Sequence, residues 1–369
     1  MRLWPLLQLL CRARKTISPT HIFSSLSSIP RGNNRSKNPR PPILFEMATG
    51  YWMSQAIYVA AKLGIADLVV EKPRSASELA DATRVDPASL YRVLRALAGA
   101  GVFKQTRDSR FALGPLGRSL VTEVPGSLRA VIITIGEIHY RAWSGLLDSV
   151  RTGSPAFDQV YGMGLFEHLR RNEDDAKAFD QGMSGLTELV SYAVLSAYDF
   201  SGIQHLMDVG GGHGTFLRNI LEANPKMKGT VFDMPSTVEA AKGCARTSLH
   251  FERMSFSAGN FFVSVPEGAD AHLLSNVIHD WDDDHASRIL RNCRKAAARH
   301  SRLLLVEMVV PESGANCFSK LLDLNMLILT GGRERTKVDF ARLLHAAGYK
   351  LEKVIPTLAP QSLITAVPS

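Results

Sequence analysis

The segment LMDVGGGHGTF, Leu206–Phe216, restricts this chain more than any other. An apolar run ending at Asp208-Val209 reads as a buried strand, glycines follow at 210, 211, 212 and 214, and a helix-forming stretch begins directly after them. Glycines at such a junction allow a tight turn and let a ligand lie against bare backbone. The residues after Gly202 continue the pattern. HLMDV, GTVF, LHFERMSF, AHLLS, RLLLVEM, KLEKVI and SLITAV read as strands, and TFLRNILEANP, STVEAAKGCA, DDDHASRILRNCRKAAAR and KVDFARLLHAAG as the helices between them. Alternating strands and helices predict an α/β fold, a doubly wound and mostly parallel sheet, over residues 201–369.

The glycine spacing narrows the ligand. A dinucleotide fingerprint, G-x-G-x-x-G, needs Gly or Ala at 215, where Thr215 stands. The spacing of Gly210, Gly212 and Gly214 suits a methionine-bearing nucleoside better than a pyrophosphate. Asp233, at the end of the second strand, is placed to accept hydrogen bonds from both ribose hydroxyls. Its alternative use is to cap the helix that starts near Pro235; the glycine loop upstream favours ribose.

A third element is SNVIHDWDDDHASRIL. His279 falls just past the fourth strand, at the carboxyl edge of the sheet where such folds bind ligands, and Trp281 can wall a pocket there. Asp282, Asp283 and Asp284 open a helix and complement its dipole. An Mg²⁺ site is the other use of such a cluster. Helix-start acids are common and a histidine base makes a metal unnecessary, so no metal is expected. Glu307 ends the fifth strand, and Glu334 lies in the glycine turn GGRERT. A carboxylate beside an imidazole fixes its tautomer and stabilises its charged form. Either glutamate alone is an ordinary surface residue; the constellation of His279, Glu307 and Glu334 is what points to a catalytic base.

The N-terminal third reads differently. The stretch from Met47 to Leu68 has helical apolar spacing, Ser77 is placed to cap a helix through Ala82, and Asp86-Pro87 opens a helix that Gly99 or Gly101 ends. VFKQTRDSRFAL follows as two short strands around a polar turn. Helix, turn, helix, hairpin is the order of a winged helix over residues 43–125. DNA binding through Arg92 and Arg95 is one reading of it, and dimerisation or packing is the other. Without a strong basic excess, and with a catalytic-looking domain downstream, dimerisation is preferred and no nucleic-acid partner is expected. Residues 126–200 read as a helical substrate region whose aromatic residues, among them Trp143, Phe157, Tyr161 and Phe166, are mostly core, with a few lining a flat apolar pocket.

Charge supports this division. The chain carries 43 basic and 35 acidic residues, but eight of the basic ones precede Ile43 and no acid precedes Glu46. The rest of the chain is formally neutral and has no field to hold a polyanion. Residues 1–42 are rich in Arg, Ser and Pro and close on PRPP, a linker signal. They read as a disordered extension, or as sequence upstream of a true start at Met47, either leaving a cytoplasmic protein, or else as an organellar targeting segment. No apolar run reaches the length of a membrane helix, about 20 residues. Cys11, Cys244, Cys293 and Cys317 form no C-x-x-C pair, which fits a reducing compartment.

Taken in order, ATGYWMSQAIYVAAKLGIADLV, DVGGGHG, VFDMP, HDWDDDH and GGRERT resemble the plant-type and hydroxyindole-type small-molecule O-methyltransferases, from about Leu44 to the C-terminus. The resemblance implies a class I S-adenosylmethionine-dependent methyltransferase with a winged-helix dimerisation domain, hence a homodimer. It implies cofactor contacts from Gly210, Gly212, Asp233, Asn260 and Phe261, with His279 as base flanked by Glu307 and Glu334. Two positions depart from the pattern: Asn260 stands where the family usually has Asp, and Ser275 where plant members often have Lys. The implied reaction is methyl transfer to a hydroxyl of a small, aromatic molecule. A phenol has a pKa of about 10 and so needs a base near neutrality, a task that imidazole suits. The alternatives are a same-fold enzyme with other chemistry, a decarboxylase or hydroxylase, or a ligand-sensing winged-helix regulator. The presence of His279 and the neutral charge balance argue against them.

Overall fold

The strand and helix pattern is realised in a computed structural model that describes residues 41–369, apart from 123, 125, 246–250 and 315–316. The extension before residue 41, and Leu249 and His250 of the predicted LHFERMSF strand, therefore lie outside the described residues. The chain divides into two units, 1–138 and 139–369.

In the first unit the PRPP run ends as the opening turn of a helix, Pro41–Ala48, since proline needs no donor there. The predicted helical stretch Met47–Leu68 is broken into the end of that helix, Gly50–Lys62 and Ile65–Leu68, with Gly64 at φ +65° between the last two. The next helix, Ala76–Thr83, is capped by Ser75 and not by Ser77. Ser75 Oγ accepts from the Glu78 amide at 3.2 Å, and the Ser75 amide donates to Glu78 Oε2 at 2.6 Å. This reciprocal box satisfies two amides that Ser77, inside the helix, cannot reach. Asp86 caps Pro87–Gly99 as predicted, accepting from the Ser89 amide at 2.7 Å. Gly101 turns the chain into β1 (Phe103–Gln105), which pairs antiparallel with β2 (Phe111–Leu113). The predicted order of helices and hairpin is thus present, closed over a core of Leu79, Leu94, Leu97, Phe103 and Phe111.

The second unit holds β3 (His205–Val209), β4 (Lys228–Asp233), β5 (Met254–Ala258), β6 (Ala271–Ser275), β7 (Arg302–Glu307), β8 (Val309–Val310), β9 (Arg335–Thr336), β10 (Tyr349–Pro356) and β11 (Ser362–Pro368). Seven of these form one sheet in the order β10-β11-β7-β6-β3-β4-β5. Neighbours from β7 to β5 are parallel, and β11 and β10 are antiparallel additions at one edge. Successive residues feed opposite cores: Leu303 and Leu305 enter one, Leu304 and Val306 the other. A sheet covered on both faces needs such continuously apolar strands. One core is closed by helices Asp283–Ala296 and Lys337–Ala346, the other by Glu173–Leu195 and Thr215–Ala223.

The β5 region corrects the sequence reading. Phe251–Arg253 forms a 3-10 turn and the strand starts only at Met254. Arg253 donates to the carbonyls of Leu221, Asn224 and Met227, closing the end of helix Thr215–Ala223, and this fixes the turn. Topologically, the chain runs from β3 outward to β5, then returns to β6 on the other side of β3. That reversal opens a crevice at the carboxyl ends of β3 and β6.

Candidate active site

Each group on the β3 and β4 side is placed by a strand end. β3 stops at Val209, and Gly210 takes φ +71° to turn into the loop. A Cβ there would sit 2.9 Å from Val277, so the turn also depends on glycine for space. The Gly212 amide donates to Asp233 Oδ2 at 2.9 Å, and the Met234 amide donates to Asp233 Oδ1 at 2.6 Å. The predicted ribose-binding acid thus braces the loop, and the Thr237 side chain also hydrogen-bonds to it. Burial holds its carboxyl above the usual range, against the pull of those amides.

Asp208, read from sequence only as the strand end, is buried against the loop, and its Oδ2 has no hydrogen-bond partner among the described residues. Burial first, then the Asp233 charge, pushes it up to about 7. A buried carboxylate oxygen lacking a donor fits a ligand that brings an ammonium group. Phe261 lies against Gly210. Asn260 is exposed, and its Oδ1 accepts from the Phe262 amide at 2.9 Å, so only part of that oxygen is available to an adenine amino group. Phe261 and Phe262 meet Trp281 edge-on, and Trp281 stacks on Phe166 with centroids 6.0 Å apart. Trp281, Phe166, Leu165, Leu329 and Thr330 line a small cavity of about 180 Å³.

Past β6, the turn Ile278–Asp280 carries His279, whose side chain is 11% exposed. Its Nδ1 lies 2.7 Å from Glu334 Oε1 and 3.8 Å from Glu307 Oε2. Glu307 is fully buried, and its Oε1 accepts from the amides of Val277 and Ile278 at 3.1 and 2.8 Å. The three residues predicted from sequence are therefore brought together. Burial opposes the charged imidazole, but the Glu307 charge, the Glu334 hydrogen bond and the Asp280 charge outweigh it, so His279 holds a proton well above the usual imidazole range. Burial raises Glu307 and Asp280 in turn, and the His279 charge draws both back. With Nδ1 donating to Glu334, Nε2 is the ring nitrogen left for a ligand. The donor atoms of His279, Glu307 and Glu334 lie within 4.8 Å of one another. The 2.7 Å contact is a hydrogen-bond length, shorter than the separation of two ligands on a common tetrahedral metal.

The acidic run has structural work. Asp282 caps helix Asp283–Ala296 by accepting from the His285 amide, and Asp283 pairs with Arg335 at 2.8 Å. Sequence reasoning missed Arg335, which is buried and binds the turn that carries His279. It also missed Asp323, which accepts from the Glu334 amide at 2.8 Å. The only signal for Arg335 was its place in GGRERT beside Glu334.

A family model described as an O-methyltransferase domain matches residues 143–350, more than half of the chain. The chain belongs to the O-methyltransferase family. A second model, the O-methyltransferase dimerisation domain, matches residues 45–123. A phenazine O-methyltransferase of Lysobacter antibioticus is 42% identical over 338 residues, 91% of this chain and 99% of the relative. An 8-amino-8-demethylriboflavin N,N-dimethyltransferase of Streptomyces davaonensis is 34% identical, covering 81% of this chain and 87% of its own length. The crystal structure of human N-acetylserotonin methyltransferase in complex with S-adenosylmethionine superposes with a TM-score of 0.82 at 28% identity, covering 91% of this chain and 99% of that one. This O-methyltransferase uses S-adenosylmethionine on a class I methyltransferase fold. Among the described residues no helix is long and apolar enough to cross a membrane.

Proposed function

We propose that this methyltransferase acts on a hydroxyl of a small aromatic molecule and that His279 deprotonates it. The single observation carrying the proposal is the His279–Glu334 contact of 2.7 Å, which leaves Nε2, 3.8 Å from Asp280 Oδ1, as the ring nitrogen that can face an acceptor. Gly210, Gly212 and Asp233 hold the nucleoside, with Phe261 against the loop and Asn260 at its rim, and Asp208 receives an ammonium. The chemistry supplied by bound S-adenosylmethionine is a methyl group on a sulfonium, which an acceptor oxygen takes as the carbon–sulfur bond breaks to a neutral thioether. The chain's own part is to align the acceptor and remove its proton. Alignment contributes on the order of 7–11 kcal/mol toward the barrier. The imidazole can accept only when neutral, so its high proton affinity confines transfer to enzyme that has first lost the Nε2 proton; the acceptor's proton then passes to Nε2, and the charge so formed faces Glu307, Glu334 and Asp280. An amine acceptor, as in the riboflavin-acting relative, is nucleophilic without this step, so the intact His279 cluster favours oxygen.

The domain division expected from sequence stands as part of the same proposal. The match over 45–123 supports a dimerisation module, and the match over 143–350 joins most of the 126–200 region to the catalytic domain. A homodimer built through that module belongs to the proposal, and so, on the sequence alone, does a cytoplasmic location or a targeting role for residues 1–42. Neither nucleic acid nor membrane is assigned as a partner. Incubation with labelled S-adenosylmethionine and a panel of phenols, matched anilines and non-aromatic alcohols tests the reading. Label is expected on phenols; transfer to anilines alone would overturn it.

A further inference from the structure

The turn that carries His279 is poorly held by its own bonds. Its internal amide contacts, Asp280 to Val277 and Trp281 to Ile278, are 3.3 and 3.4 Å long, at the weak end for hydrogen bonds. The shorter bonds come from elsewhere. On the amide side Glu307 accepts from Val277 and Ile278. On the carbonyl side, Arg335 Nη1 donates to Ile278 O at 2.9 Å, Arg335 Nη2 donates to Trp281 O at 2.8 Å, and the Arg333 amide donates to His279 O at 2.8 Å. Gly332 lies so close that a Cβ would meet His279 O at 2.1 Å.

Arg335 is 1% exposed, yet its carboxylate partner Asp283 is 59% exposed. Burying a guanidinium is unfavourable unless its donors are satisfied, and here two of the carbonyls that satisfy it flank the base, one before His279 and one two residues after it. A planar fork can hold two carbonyls in a fixed relation, which a lysine ammonium cannot. We propose that Arg335 is a positioning residue that sets the aim of His279, clamping the Ile278 and Trp281 carbonyls so that the imidazole, Glu334 and the Trp281 wall keep one geometry. Arg335 touches neither the ring nor the cavity; it acts through the backbone between them. This inference rests on His279 being the base.

The test is Arg335→Lys, which keeps the charge and loses the fork, with His279→Ala measured beside it. A misplacement of the base by about 1 Å costs on the order of 10²-fold in turnover, so kcat is expected to fall by about 10²-fold while the Kd for S-adenosylmethionine stays unchanged. The pH profile supplies a readout that simple destabilisation would not move. His279 is faced by Glu307, Glu334 and Asp280, which keep its proton affinity high. If the turn slips, the contact with Glu334 lengthens and the rising acid limb of kcat moves to lower pH. A folded Arg335→Lys protein with normal kcat and an unmoved limb would overturn the proposal, as would kcat and cofactor binding declining together with the folded fraction. Should Arg335→Lys fail to fold, Arg335→Gln, whose planar amide can hold one carbonyl, is read by the same measurements. Full activity in His279→Ala would remove the base assignment itself, a separate failure.

Discussion

The two sides of the crevice are assembled in different ways. The cofactor side runs from Asp208 to Phe262 and takes its groups from the ends of β3, β4 and β5, three strands consecutive in the chain. Its key hydrogen bond, Gly212 to Asp233, spans 21 residues. The base side joins His279 to Glu334 across 55 residues and Arg335 to Ile278 across 57. One side is made largely of backbone shape, with amides and glycines doing the holding. The other is made of buried charge, one imidazole among three carboxylates, kept in place by a buried guanidinium. Shape of the first kind is written locally in a sequence. Buried charge of the second kind exists only once distant segments meet.

Three substitutions sharpen that contrast. The largest effect is expected from His279→Ala, which should lower turnover by about 10²–10⁴-fold, the range for loss of a general base, with cofactor affinity unchanged in calorimetry. An acceptor with an already acidic hydroxyl should recover part of the loss. Comparable loss of cofactor binding would show that the two sides are not separable. Next is Asp233→Ala. Hydrogen bonds to a charged group contribute about 1.5–3 kcal/mol, so the Kd should weaken by about 10- to 100-fold. Turnover at saturating cofactor should stay near normal, and a collapse of kcat would refute the division. The smallest effect is expected from Glu334→Gln, about tenfold in turnover, because the amide oxygen still accepts from Nδ1 but brings no charge. The sign of its pH effect is fixed: Glu334 raises the proton affinity of His279, so its neutralisation moves the acid limb to lower pH. An unshifted limb would mean that Glu334 does not face the base in the reacting state.

The same contrast explains what could be read in advance. Gly210 and Asp233 were legible because strand, turn and acid follow one another within a short stretch. The α/β alternation was legible for the same reason, whereas the sheet order, with β10 and β11 added antiparallel at one edge, was not. His279, Glu307 and Glu334 could be listed together only because each ends a strand or a glycine turn, and the resemblance to known methyltransferases put them in order. Arg335 was not legible, since an arginine between a glutamate and a threonine looks like a solvated residue until its carbonyl partners are in place. Ser77 is a plausible cap by residue type, but the S-x-x-E spacing from Ser75 to Glu78 is the local signal that marks the true one. The first half of LHFERMSF looked like strand because its apolar residues alternate; the carbonyls that draw Arg253 into a turn belong to another helix.

The two-residue ladder of β8 with β9, Val309 to Arg335 and Val310 to Thr336, has a consequence for the order in which the enzyme is made. Synthesis runs from the N-terminus, and domains fold as their segments emerge. The residues proposed to hold the nucleoside all precede Val263 in the chain. The carboxylate that polarises the base, and the guanidinium that binds its turn, arrive only with the strand that completes this ladder. Because β6 walls the crevice and β7 feeds both cores of the sheet, the loop and the base turn depend on one late-completed framework, and recognition of the methyl donor and activation of an acceptor become possible together.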